Sequence, residues 1–117
     1  MLSFAGSLKV FVALEACDMR AGSNTLQGLV GERLAEQVRD GALFVFGNKR
    51  RTMIKILCWD GTGLWVLSKR LEKGTFSWPT AVEQGQVKLK LTPQALAMLT
   101  DGIDLHGAKM RGWYERE

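Results

Sequence analysis

The chain has 117 residues and a formal charge of +4, from 16 Lys and Arg against 12 Asp and Glu. Its 46% hydrophobic and 24% charged content is globular and excludes wholesale disorder. One domain, residues 1–117, fits this length. The apolar runs at 10–14 and 64–67 are far too short to span a membrane. The N-terminus has no basic stretch followed by a long apolar one, so no signal peptide is expected and a cytoplasmic location follows. Cys17, Cys58 and the single His106 exclude a four-ligand Cys/His zinc site and read as two reduced thiols plus one histidine.

Charge is unevenly distributed. Residues 39–73 hold eight basic and three acidic groups, whereas the segments before and after are close to neutral. One local face is therefore expected to attract polyanions.

In chain order, residues 8–14 (LKVFVAL) are β-branched and aromatic and predict a strand. A loop follows at 17–25, with Ser23 or Asn24 as a candidate helix cap. Leu26, Leu29, Val30, Leu34 and Val38 lie on one helical stripe, which predicts a helix running to Asp40-Gly41. Gly28 and Gly31 weaken it, so packing or a close backbone approach must hold it. Three short strands come next, at 42–47, 53–59 and 64–68, joined by the polar stretch 48–52 and the Asp60-Gly61-Thr62-Gly63 turn; this is an antiparallel meander. Residues 75–78 (TFSW) are a brief pairing segment before Pro79. Residues 87–91 (VKLKL) alternate, with Val87, Leu89 and Leu91 inward and Lys88 and Lys90 outward. Thr92 then caps a second helix with Pro93 at its first position and Gly102 past its end, and a charged tail at 109–117 is expected to fray. The fold class is α+β, a mainly antiparallel sheet with one helix after the first strand and one near the C-terminus. The helices are expected to cover one face and leave the other partly open.

Catalytic constellations are thin. A Cys17 or Cys58 pair with His106 has no spacing signature, and Cys58 sits inside an apolar strand. A metal-dependent nuclease needs carboxylates to converge, and the best set is Asp18, Asp60 and Asp104, although Asp60 opens an Asp-Gly turn that uses such a side chain locally. No phosphate-binding glycine loop precedes a helix, and no cofactor is implied.

The basic residues form the strongest constellation. Lys49, Arg50 and Arg51 occupy one turn, Lys55 is the only charge of the next strand, and Lys69, Arg70 and Lys73 end the third strand. The first and third strands of a meander run the same way, so both clusters are expected at one end of the sheet. Guanidinium forks there suit phosphate oxygens. About five phosphate contacts would give a log–log salt slope near −4.5. Trp59, Trp65, Phe76 and Trp78 interleave with these cations, and Trp59 and Trp65 flank the Asp60 turn as a candidate cross-strand pair. Such aromatics serve as core, as a protein interface or as stacking platforms for bases.

The strings CDMRAGSNTLQGLV (17–30), GALFVFGNKRRTMIKILCWDGTGLWVLSKRLEKGTFSWP (41–79) and VKLKLTPQALAMLTDGID (87–104) resemble the insertion-sequence sixty-six Orf2-like family, the small TnpB accessory proteins encoded beside a transposase. The likeness runs from about Val10 to Tyr114 and includes Asp18, Arg20, Asn48, Arg50, Lys55, Trp59, Asp60, Lys69 and Arg70. It departs at Ala21-Gly22, where that family usually carries a basic residue and a small hydroxyl, and at Gly47, where arginine is common. The resemblance implies a role in DNA transposition within a bacterial mobile element, with strand transfer left to the larger transposase. The expected function is a non-catalytic accessory protein. Its DNA contacts would be Arg20, Lys49, Arg50, Arg51, Lys55, Lys69, Arg70 and Lys73, with Trp59, Trp65 and Trp78 as a partner interface. The expected partners are DNA, the cognate transposase and a second copy of the chain. The alternative is a module that docks on the transposase without touching DNA.

Overall fold

The computed structural model describes residues 8–102. His106, Asp104 and the 109–117 tail lie outside the described residues.

The two most continuously apolar runs become the two strands buried on both faces, β1 (Val10–Ala13) and β2 (Leu43–Gly47). They are parallel neighbours, the arrangement that hides both faces of a strand. β3 (Met53–Trp59) and β4 (Leu64–Arg70) extend the sheet antiparallel on one side, and β5 (Lys88–Leu91) pairs antiparallel with β1 on the other. The order is β4-β3-β2-β1-β5, mostly antiparallel, with the expected meander as β2-β3-β4.

Side chains alternate to two separate cores. Val10, Val12, Leu43, Val45, Ile54, Ile56 and Leu91 pack on one face with Ala95, Leu96 and Leu99 of helix α2 (Pro93–Thr100) and with Phe76 and Trp78. Phe11, Phe44, Phe46 and Leu57 pack on the other face with Leu26 and Val30 of helix α1 (Ser23–Glu32), and with Leu34 and Val38 beyond it. The helices thus lie on opposite faces, not on one. The reason is legible in β1 and β2, which carry large apolar residues in both registers and would leave half of them wet under a single layer.

Several local expectations change. α1 stops at Glu32 because Ala35 takes the left-handed conformation at φ 54°, and Leu34 N–H reaches back to Leu29 O at 3.2 Å. Leu34 and Val38 remain buried, so the stripe reported burial correctly and helix length wrongly. Gly22 is the N-cap, with no side-chain cap from Ser23 or Asn24. A Cβ at Gly28 or Gly31 would meet nothing within 4 Å, so no close backbone approach requires them and packing of Leu26 and Val30 holds the helix. Thr92 caps α2 as expected, its Oγ1 accepting from Ala95 N–H at 3.0 Å, and Gly102 follows at φ 79°. Residues 75–78 are not a strand; Phe76 and Trp78 are core instead. Lys88 does not point to solvent. Its ammonium bonds Leu34 O and Glu36, and lies 5.2 Å from the Phe11 ring centroid, fastening the segment after α1 to the sheet edge.

Candidate nucleic-acid interface

β1, β2 and β4 run in the same direction, so their C-terminal loops emerge together. Four backbone and side-chain bonds tie these loops into one rim. Cys17 N–H donates to Gly47 O at 2.9 Å, Leu71 N–H to Thr52 O at 3.0 Å, and Phe76 N–H to Arg51 O at 2.6 Å. Arg51 Nη2 donates to Leu14 O at 3.1 Å. The two cationic clusters therefore share one end of the sheet.

Asn48 builds the first corner. Its Oδ1 accepts from the N–H groups of Thr52 and Met53 at 2.9 and 3.1 Å, its Nδ2 donates to Thr52 Oγ1 at 3.0 Å, and its carbonyl accepts from Arg51 N–H at 3.1 Å. This Asn-led turn pushes Lys49 and Arg50 to its tip, where both are exposed. Arg51 goes the other way. It holds φ 58°, a left-handed conformation uncommon for a residue with a Cβ. Its guanidinium lies 4.6 Å from the Trp78 ring centroid. Burial lowers the Arg51 pKa from its ordinary value. Trp78 in turn donates from Nε1 to Ala13 O at 3.0 Å and covers Gly47 so closely that a Cβ there would sit 2.7 Å from the ring. Arg51, Trp78 and Gly47 are the foundation of the corner rather than its contact surface.

The other basic positions divide in the same manner. Lys55 Nζ donates to Ala21 O at 2.8 Å, and Lys69 Nζ to Thr100 O at 2.6 Å at the end of α2, where a cation also suits the helix dipole. Arg20 forms an exposed pair with Asp18 at 2.7 Å, and its side-chain bonds hold the Asp18 carboxyl down at about 2. Lys49, Arg50, Arg70 and Lys73 are exposed, with no hydrogen-bond or ion-pair partner among the described residues. Arg51, Lys55 and Lys69 bond neutral carbonyls, not acids, so their charge is not cancelled and still adds to the field at this end. Of these eight cations, Arg20 is the one paired with a carboxylate among the described residues.

The opposite end of the sheet carries the Asp60 turn. Asp60 Oδ1 accepts from Thr62 N–H, Thr62 Oγ1 and Gly63 N–H at 2.8–2.9 Å, and Oδ2 from Trp65 Nε1 at 2.7 Å. The Thr62 N–H first, then Trp65, hold its carboxyl well below the usual carboxylate range. Asp18 sits in the loop beyond β1 and Asp60 at the far end of β3, so these two carboxylates do not converge. Among the described residues no group of three or more His, Cys, Asp or Glu could hold a metal ion. Burial pushes both the Cys17 and Cys58 thiols up, away from the thiolate form; Cys17 borders a cavity of about 400 Å³ lined by Leu29, Arg33 and Phe46.

The tryptophans separate as well. Trp59 and Trp65 are not a cross-strand pair: Trp59 faces Leu64 and Trp65 faces Cys58, on opposite faces of the sheet. Trp59 is half-buried beneath Arg39, 4.7 Å from ring centroid to guanidinium carbon, and Trp78 is buried. Trp65 alone of the three is broadly exposed, at 56%. Sequence reasoning missed Asn48 and Trp78 as the supports of the basic corner; an Asn opening a polar turn between two strands was the available signal for the first.

A small α+β protein with an uncancelled cationic end and, among the described residues, no converging catalytic group is thus defined. The profile of the IS66 Orf2 like protein family matches residues 8–110, and the chain belongs to that family of transposition-associated accessory proteins. Two relatives from Sinorhizobium fredii (strain NBRC 101917 / NGR234) align over 104 residues, covering 89% of this chain. The uncharacterized protein y4hO is 36% identical with 88% of its length aligned, and the uncharacterized protein y4jC is 35% identical with 86% aligned. No solved structure matches significantly. Among the described residues no helix is long and apolar enough to cross a membrane.

Proposed function

We propose that this protein serves transposition by holding DNA through its phosphate backbone at the basic rim, without doing chemistry itself. The observation that carries the reading is the meeting of two cationic corners at one end of the sheet, with Lys49, Arg50, Arg70 and Lys73 exposed and unpaired among the described residues. These four meet phosphate oxygens. Lys55, Lys69 and Arg51 raise the local potential from behind them, and Arg51 also fixes the turn that presents Lys49 and Arg50. Arg20 adds to the surface only by exchanging Asp18 for a phosphate, which makes it the weakest contributor. Phosphate contacts set position and carry no base information, so sequence choice falls to the transposase. The separation of Asp18 from Asp60 supports the non-catalytic half of the proposal.

A gel-shift titration with element-end and scrambled duplexes at two salt concentrations tests this. Four phosphate contacts give a slope of about −3.6, so fourfold more salt weakens binding roughly 150-fold for both duplexes. Absence of a shift at low salt removes the DNA contact. In that case, retention of the transposase after nuclease treatment would support direct docking on it.

A further inference from the structure

The two edges of the sheet are built differently. β5 has four residues, and Lys88 fastens the segment from Leu34 to Glu36 at this edge, a short strand and a covering loop being ordinary protection. β4 has seven residues with Trp65 at 56% and Leu67 at 41% exposure, and no described strand beyond it. Its hydrogen-bond parity follows from the two ends of the β3–β4 ladder. Leu71 N–H bonds Thr52 O, and Asp60 N–H bonds Gly63 O. With Met53 opposite Arg70 and Trp59 opposite Leu64, residues 65, 67 and 69 turn their backbone groups toward β3. Leu64, Val66, Ser68 and Arg70 turn theirs outward.

We propose that β4 pairs antiparallel with β4 of a second copy of this chain, about a two-fold axis at Leu67, making a continuous ten-stranded sheet. This register brings every outward-facing residue onto an outward-facing residue: Leu64 opposite Arg70 and Val66 opposite Ser68 of the second copy, each pair met twice. Shifting the axis by one position along the strand leaves at least one of the four unmatched. Side chains agree with the backbone. Leu67 meets its own copy, and Trp65 lies beside the aliphatic stem of Lys69, whose ammonium stays on Thr100 O. The charge pattern also selects the orientation. Lys69 and Arg70 cluster at one end of β4, so antiparallel pairing holds the two clusters about 13–20 Å apart, whereas parallel pairing would stack them. Such self-complementarity belongs to an isologous dimer; a foreign strand would require none of it. The contact is small, so the dissociation constant is of order 10 µM. The proposal is independent of DNA binding.

Sedimentation equilibrium of the full chain from about 1 to 300 µM reads the association directly. The expected result is a monomer–dimer equilibrium. Leu67→Lys sets like charges across the axis and Ser68→Pro deletes an outward N–H; each weakens association about 30-fold or more while circular dichroism stays native. Leu67→Cys crosslinks to its own copy under mild oxidation, and Ser68→Cys, whose opposite residue is Val66, does not. A monomer throughout the range overturns the proposal. A dimer of undiminished affinity in both Leu67→Lys and Ser68→Pro, or crosslinking through Ser68→Cys in preference to Leu67→Cys, overturns it as well.

Discussion

The two hairpin ends of β3 use the same device, once with a neutral amide and once with a carboxylate. At one, the side chain of Asn48 gathers the N–H groups of Thr52 and Met53; at the other, that of Asp60 gathers those of Thr62 and Gly63. A neutral amide organises the turn whose tip holds Lys49 and Arg50, so their charge stays uncancelled. A carboxylate organises the turn that holds no cation. A side-chain oxygen suffices to shape either turn, and the choice between amide and acid then decides what each end of the molecule attracts.

The largest way to break this contrast lies beneath the basic turn. Trp78→Ala removes a buried indole, its bond to Ala13 O and the ring under Arg51, and should cost about 3–5 kcal/mol in chemical denaturation. Gly47→Ala should also destabilise, because its Cβ would have to displace that ring. Next come the two adjacent arginines. Arg51→Ala should lower stability by about 1–2 kcal/mol through loss of its bond to Leu14 O and its place on Trp78, whereas Arg50→Ala should leave the melting temperature unchanged and reduce the DNA salt slope by about 0.9. Equal stability losses at both positions would contradict the division between foundation and surface.

Asn48→Asp sharpens the comparison directly. It keeps the acceptor for the Thr52 and Met53 N–H groups but sets a negative charge behind Lys49 and Arg50, so duplex affinity should fall several-fold with a small change in melting temperature. The mirror change, Asp60→Asn, reports on pH. The folded-state pKa of Asp60 is depressed, so its contribution to stability is complete above the ordinary carboxylate value near about 4 and is lost as pH falls through the folded value. The unsubstituted chain should therefore lose more melting temperature between about pH 5 and pH 2 than the Asp60→Asn variant does. The smallest expected effect is on α1: Gly28→Ala and Gly31→Ala, both pointing into open space, should each stabilise by about 0.5–1 kcal/mol.

The strands and the β2-β3-β4 meander were legible because β1 and β2 are apolar in both registers and the Asp-Gly and Asn-led turns announce two hairpins, whereas the pairing of β1 with β2 and β5 was not, because no short turn joins them. Their double-sided apolarity also demanded a cover on each face, a consequence visible in Phe11 and Phe44 against Val10 and Val12. The end of α1 was not legible, because Ala35 adopts a conformation that its residue type disfavours and Leu34 and Val38 keep the helical spacing after the helix has stopped. The meeting of the two basic corners followed from strand direction alone. Which cations would be free there did not, since the inward turn of Arg51 depends on Trp78, 27 positions further along the chain, and that of Lys69 on the end of α2.

The most direct test is the salt dependence of duplex binding for the full chain and for the variant carrying Lys49→Ala, Arg50→Ala, Arg70→Ala and Lys73→Ala. A slope near about −3.6 that collapses toward zero in the variant, at unchanged melting temperature, is the predicted result. A slope that the four substitutions leave intact would place the contact elsewhere and contradict the rim as the DNA-binding surface.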